Sequence, residues 1–85
     1  MSDPKPTIYV QVSGGVVQDV MCNEAGVKAL EYLGLCVVVV DYDNDGVPRN
    51  ELGRVTYNDG VTEAASVGEY NLHIPGNIVS HKLTP

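Results

Sequence analysis

Asp41-Tyr42-Asp43-Asn44-Asp45-Gly46 sets three carboxylates on alternate residues ahead of a glycine, the opening of a calcium-binding loop. Alternating acidic side chains can converge on one hard cation, and glycine permits the sharp turn that brings them round. The residues that follow depart from an EF-hand. Counting Asp41 as the first position, the twelfth is Leu52 where a bidentate glutamate is required, Glu51 falls one residue early, and Pro48 stands at the eighth. Strand-like rather than helical sequence leads into the loop. Three roles are open to these residues. They can form a solvated turn that needs no ion, since Asp and Asn before Gly are ordinary turn residues. Asp41, Asp43 and Asp45 can ligate calcium or magnesium in a weak site. They can also form one edge of an acidic contact surface for a protein partner.

Other chemistry-bearing residues are few. His73 and His81 are the only imidazoles. With a turn at Pro75-Gly76, His73 falls opposite Ile78 and His81 opposite Tyr70, which does not place them as a zinc pair. Cys22 and Cys36 lack C-x-x-C spacing and a flanking His, so neither a redox pair nor a structural zinc site is indicated. They are expected as small apolar core residues of a reduced protein. Gly14-Gly15 is too short to cradle a phosphate, and no Ser, His and acid grouping stands out. A chain of 85 residues rarely encloses a pocket of several hundred Å³. The chain is therefore expected not to be an enzyme and to carry no cofactor other than the calcium ion already considered.

Eleven acidic and five basic side chains give a formal net charge of −6. That balance repels phosphate backbones, so direct nucleic-acid binding is disfavoured and a basic protein surface is the favoured partner. The charge is uneven: every Asp and Glu lies at or before Glu69. The longest wholly apolar run, Leu35 to Val40, is far shorter than the ~20 residues of a membrane span. No signal-peptide apolar region and no lipidation signal are visible, and a cytoplasmic location is expected.

The elements that would position these residues follow from periodicity. Residues 1–6, with two prolines, are expected as a flexible lead-in to a single α+β domain over residues 7–85. Ile8, Val10 and Val12 alternate with Thr7, Tyr9 and Gln11, the mark of a half-buried strand. After Gly14-Gly15 a second strand begins at Val16. A three-residue loop is favoured there, because a two-residue loop would set Asp19 opposite Val10 on the apolar face. Asn23 is placed as a helix N-cap and Gly34 as the residue past its C-terminus, with Gly26, Ala29, Leu30 and Leu33 as the apolar stripe. Leu35 to Val40 is β-branched without alternation, which predicts a central strand covered on both faces. Asn58-Asp59-Gly60 predicts a hairpin pairing Tyr57 with Thr62 and Val55 with Ala64. Tyr70, Leu72 and Ile74 form a further alternating stretch, and Ile78 to Leu83 is expected to return as the last strand, with an edge that a second copy could join. Together these predict one mostly antiparallel sheet covered on one face by a single short helix.

Val12-Ser13-Gly14-Gly15-Val16-Val17-Gln18-Asp19-Val20, followed by Val37 to Val40 and Asp41-Tyr42-Asp43, resembles a group of short acidic bacterial proteins of unassigned function. Those proteins carry a V-x-G-G-V-V-Q-x-V hairpin and a V-x-V-x-D-Y-D strand end. The resemblance covers about half the chain; the helix at 24–33 departs from the shorter members, and it transfers no functional residue. Proteins of this size and charge are similar to the small inhibitors that mobile elements direct against host defence, anti-CRISPR proteins among them. That likeness implies a non-enzymatic interaction or inhibitor protein. Its carboxylates at Asp41, Asp43, Asp45, Asp59 and Glu63 would occupy a basic site on a larger partner, with exposed Tyr or Val supplying affinity. The alternative expectation is a calcium-binding β-rich module built on the Asp41–Asp45 loop.

Overall fold

In chain order the computed structural model, which describes residues 5–85, contains β1 (Ile8–Ser13), β2 (Val16–Cys22), α1 (Glu24–Leu33) and β3 (Val37–Asp41). A single 3-10 turn (Arg49–Glu51), β4 (Gly53–Thr56) and β5 (Thr62–Tyr70) follow. The α+β class, the antiparallel pairing and the single short helix hold. The strands divide between a two-stranded sheet, β1-β2, and a three-stranded sheet in the order β3-β5-β4, where one sheet was expected. The chain gathers into two compact units, one formed by residues up to Cys36 together with Asn71–Pro85, the other by Val37–Tyr70. The lead-in expected over residues 1–6 lies, in its first four positions, outside the described residues.

The first unit is organised around the end of β2. Gly14 and Gly15 both take positive φ, 60° and 76°, and close a two-residue turn between Ser13 and Val16. Such a turn needs left-handed backbone at both positions, which glycine adopts without steric cost. A bulge then slips the register: Val12 pairs with Val17, but Gln11 pairs with Asp19. The extra residue does the work assigned to a longer loop, and Asp19 avoids Val10 after all. The apolar alternation of β1 does not become a buried face. Ile8, Val10 and Val12 are exposed, whereas Val20, Met21 and Cys22 are buried. All three buried residues lie where β2 runs into the helix, so the core sits at that end of the ribbon.

Asn23 fastens this junction. Its Oδ1 accepts from the Gly26 amide at 2.7 Å and the Thr7 amide at 3.1 Å, and its Nδ2 donates to the Lys5 carbonyl at 2.9 Å. Helix N-cap and strand entry are thus tied by one side chain, and Lys5, expected as part of the lead-in, is held by it. Gly34 ends the helix in the left-handed region at φ 67°. The buried residues of α1 are Gly26, Val27 and Leu30; Ala29 is half-buried and Leu33 exposed, so the stripe is shorter than expected and shifted to Val27. Asn23→Ala is expected to cost about 1–2 kcal/mol, because cap and strand tie are lost together. Asn23→Asp, which keeps the Oδ1 acceptor and loses the donor, should fall between the two in chemical denaturation.

Both thiols are free, but they differ: Cys22 is fully buried and Cys36 exposed, against the expectation of two core cysteines. Burial pushes the Cys22 thiol up from its ordinary value. The folded state therefore holds the Cys22 proton at pH values where the unfolded chain has lost it. Stability from this group is whole below the unfolded thiol pKa and declines as pH rises through the folded one. Denaturation between pH 7 and 10 should show a downward trend that Cys22→Ala lacks. A thiol reagent at neutral pH should label Cys36 at once and Cys22 only on unfolding.

In the second unit β5 takes the middle place. Its residues Ser66–Tyr70 pair with β3, from Asp41↔Ser66 to Val37↔Tyr70, and its residues Thr62–Ala65 pair with β4. The valine run is accordingly an edge strand rather than a central one, with Val38 and Val40 exposed and Val37 and Val39 half-buried. β-Branching sets the strand; which neighbours it gains is decided elsewhere in the chain. The β4-β5 turn spans Asn58, Asp59 and Gly60, with the Tyr57 amide donating to the Val61 carbonyl at 2.9 Å and Gly60 at φ 88°. This three-residue loop shifts the expected register by one, so that Val55 pairs with Glu63 and Thr56 with Thr62. Among the described residues of this unit only Ala65 is fully buried.

Residues 71–85 hold no strand, so the expected stretch through Ile74 and the return strand from Ile78 to Leu83 are both absent. The segment is fixed instead by single bonds to the rest of the first unit. The Gly76 amide donates to the Cys22 carbonyl at 2.8 Å, and Tyr9 Oη bonds His81 Nδ1 at 2.8 Å with the rings edge to face. His73 Nδ1 lies 3.5 Å from Glu31 Oε1. The two imidazoles thus serve separate fastenings of this tail.

Candidate acidic interaction site

The second unit carries seven of the eleven carboxylates and only two arginines, hence a formal charge of −5 within 34 residues. All five residues proposed from sequence, Asp41, Asp43, Asp45, Asp59 and Glu63, belong to it. Topology brings them toward one end of the sheet. β3 runs antiparallel to β5, so the chain leaving Asp41 heads toward the N-terminal end of β5, where the β4-β5 turn holds Asp59 and where Glu63 lies. The Tyr42 hydroxyl is hydrogen-bonded to the Tyr57 hydroxyl and joins the loop after β3 to that turn.

Local hydrogen bonds shape the acidic loop. Asp41 Oδ1 accepts from the Asp43 amide at 2.9 Å, and the Val47 amide donates to the Asn44 carbonyl at 3.0 Å, with Gly46 in the left-handed region at φ 82°. Asn44 Oδ1 accepts from both the amide and the hydroxyl of Ser66, at 3.2 and 3.0 Å, and pins the loop to β5. Asp59 Oδ1 accepts from the Val61 amide at 3.0 Å inside the hairpin turn. The bonds to Asp41 and Asp59 are ones that Asx residues make in turns, with the amide two residues on as donor.

Asp43, Asp45, Asp59 and Glu63 are exposed, and Asp41 is half-buried. Among the described residues, the ion pairs within 4.0 Å are Glu24 with Lys28 and Glu31 with His73, both in the first unit. None of the five carboxylates is neutralised by Arg49, Arg54 or a lysine at that distance. Among the described residues no three His, Cys, Asp or Glu side chains gather as a metal site requires. Asp41, Asp43 and Asp45 thus alternate in sequence without converging in space.

Sequence reasoning did not anticipate Tyr42, Tyr57 and Asn44. Both tyrosines are exposed. The hydrogen bond with Tyr42, followed by partial desolvation and the nearby Glu63 charge, pushes the Tyr57 phenol up to about 12. Tyr57 stands directly before a turn and Tyr42 directly after a strand end, but nothing in their spacing announces that they meet. Asn44 sits at a non-ligating position of the D-x-D-x-D-G pattern, and that frame hid its role as the loop's anchor.

No helix among the described residues is long and apolar enough to cross a membrane. Comparison with protein-family models, with curated proteins and with solved structures finds no match to this chain.

Proposed function

We propose that this chain is a non-enzymatic interaction protein whose acidic sheet end occupies a basic site on a larger protein. The supporting observation is the concentration of charge: five carboxylates at one end of a three-stranded sheet, without cationic partners within ion-pair distance, beside two exposed tyrosines. Complementary charge accelerates encounter and selects the partner, while aromatic side chains supply contact area. Basic sites on proteins commonly serve to hold nucleic acid, and a protein that fills one competes with it. The resemblance to small acidic bacterial proteins extends the proposal to inhibitors of host defence, anti-CRISPR proteins included.

The test is competition. A partner captured at low salt by the immobilised wild-type chain should be released by added duplex DNA or RNA, and should not be captured by the Asp43→Asn, Asp45→Asn double variant. Capture that survives both changes would refute the assignment of the acidic end.

A further inference from the structure

We infer that an open groove beside β4 is a carboxylate-binding site built by Arg49 and Arg54. The groove, of about 790 Å³, is lined by both arginines, with Asn50, Thr62 and Glu63 among its other walls. They are the only cationic side chains between Val37 and Tyr70, a segment with seven carboxylates. Surface guanidinium groups in such surroundings have partners on offer. Yet among the described residues no carboxylate lies within 4.0 Å of either one. Both unpaired cations of an acidic unit therefore face one cavity.

The donors suit a particular ligand. Arg54 Nη1 reaches Thr62 Oγ1 at 3.5 Å across the β4-β5 pair, a long contact that leaves most of the guanidinium fork uncommitted. Arg49 opens the 3-10 turn, followed by the Asn50 amide. A planar fork matches the two oxygens of a carboxylate, and an amide and a hydroxyl can complete its acceptor sites. The charge of the unit, −5 overall, and Glu63 in the groove wall repel a dianion about twice as strongly as a monoanion, and the two guanidinium groups attract it more strongly as well. The preference for a carboxylate over phosphate therefore rests on shape, since its two oxygens lie in one plane and meet a planar fork edge to edge. Its source is either a free organic acid or an acidic residue of an extended peptide, for which β4, paired only with β5, offers a second edge.

This inference shares Glu63 with the acidic-end proposal but needs no basic partner, so either can fail without the other. It is tested by following the arginine Nε–H resonances of the whole chain during titration at constant ionic strength. The probes are sodium acetate, inorganic phosphate, sodium chloride and a Gly-Glu-Gly peptide with blocked ends. Saturable shifts of Arg49 and Arg54 with acetate are expected, with weaker response to phosphate. Arg54→Lys, which keeps the charge and loses the fork, should weaken acetate about tenfold. Glu63→Gln should tighten it about threefold by removing a repelling charge. A peptide that binds more tightly than acetate and also shifts β4 amides identifies the peptide source; equal binding identifies a free acid. Acetate shifts no larger than those of chloride, phosphate binding more tightly than acetate, or an Arg54→Lys variant with unchanged affinity would each overturn the assignment.

Discussion

Converting Asp41, Asp43, Asp45 and Asp59 to Asn and Glu63 to Gln should lower affinity for a basic partner about a hundredfold at low salt, mostly through slower association. In the second unit this leaves Glu51 and Glu69 against Arg49 and Arg54, a formal charge of zero. The fold should survive. Asp41 and Asp59 each use a single Oδ1 as a turn acceptor, which the amide retains, and none of the five sits in an ion pair that the change would break. The wild-type chain should lose much of the same affinity as salt rises from tens of millimolar to about 0.5 M, where the Debye length falls to a few ångström. The five-residue variant should show little salt dependence. Measuring association and dissociation rates separately is the informative check, because loss of a packed contact would speed dissociation instead.

Gly76→Ala should be the most damaging of the glycine-to-alanine changes, with a cost of about 2–3 kcal/mol and a Tm lowered by roughly 10–20 °C. A Cβ at this position would stand 2.4 Å from Met21 Cβ and 2.7 Å from Met21 Cγ and Sδ. The nearest of these atoms is next to the backbone of a buried residue, so a rotamer change alone cannot relieve the clash. Moving the segment away would stretch the bond from the Gly76 amide to the Cys22 carbonyl and leave a buried acceptor poorly satisfied. Gly68→Ala is the matched control, since the added methyl meets nothing nearer than 3.8 Å, and it should change stability by no more than about 0.5 kcal/mol. Similar effects from the two substitutions would show that the tail is not fastened through Gly76.

Some of this architecture was readable from single residues because it is local. Asn23, Gly34 and the intervening pattern set α1 to the residue, as cap and terminator act within one turn of the helix. Gly14-Gly15 and Asp59-Gly60 marked both hairpins. Register was harder, since a bulge at Gln18 and a three-residue loop at Asn58–Gly60 each displace pairing by one residue without altering composition. Partner choice was harder still. The valine run specifies a strand, but the nine-residue β5, capable of serving two neighbours along its length, determined that β3 lies at an edge. Leu72, Ile74, Ile78 and Leu83 look like strand residues, yet the bond at Gly76 holds their segment as an irregular strap. For the candidate site, the carboxylates and their exposure were legible, whereas their shared end depends on strand direction and on two tyrosines far apart in sequence.

The concentration of negative potential at the end of the β3-β5-β4 sheet can be measured without knowing any partner. Backbone amide relaxation is recorded with a cationic and with a neutral nitroxide of matched size, and their ratio reports local potential residue by residue. The cationic probe should be enriched most strongly around residues 41–45 and 58–63, and the enrichment should collapse in the five-carboxylate variant. A ratio that is uniform along the chain, or highest near Glu24 and Glu31, would contradict the existence of an acidic recognition surface.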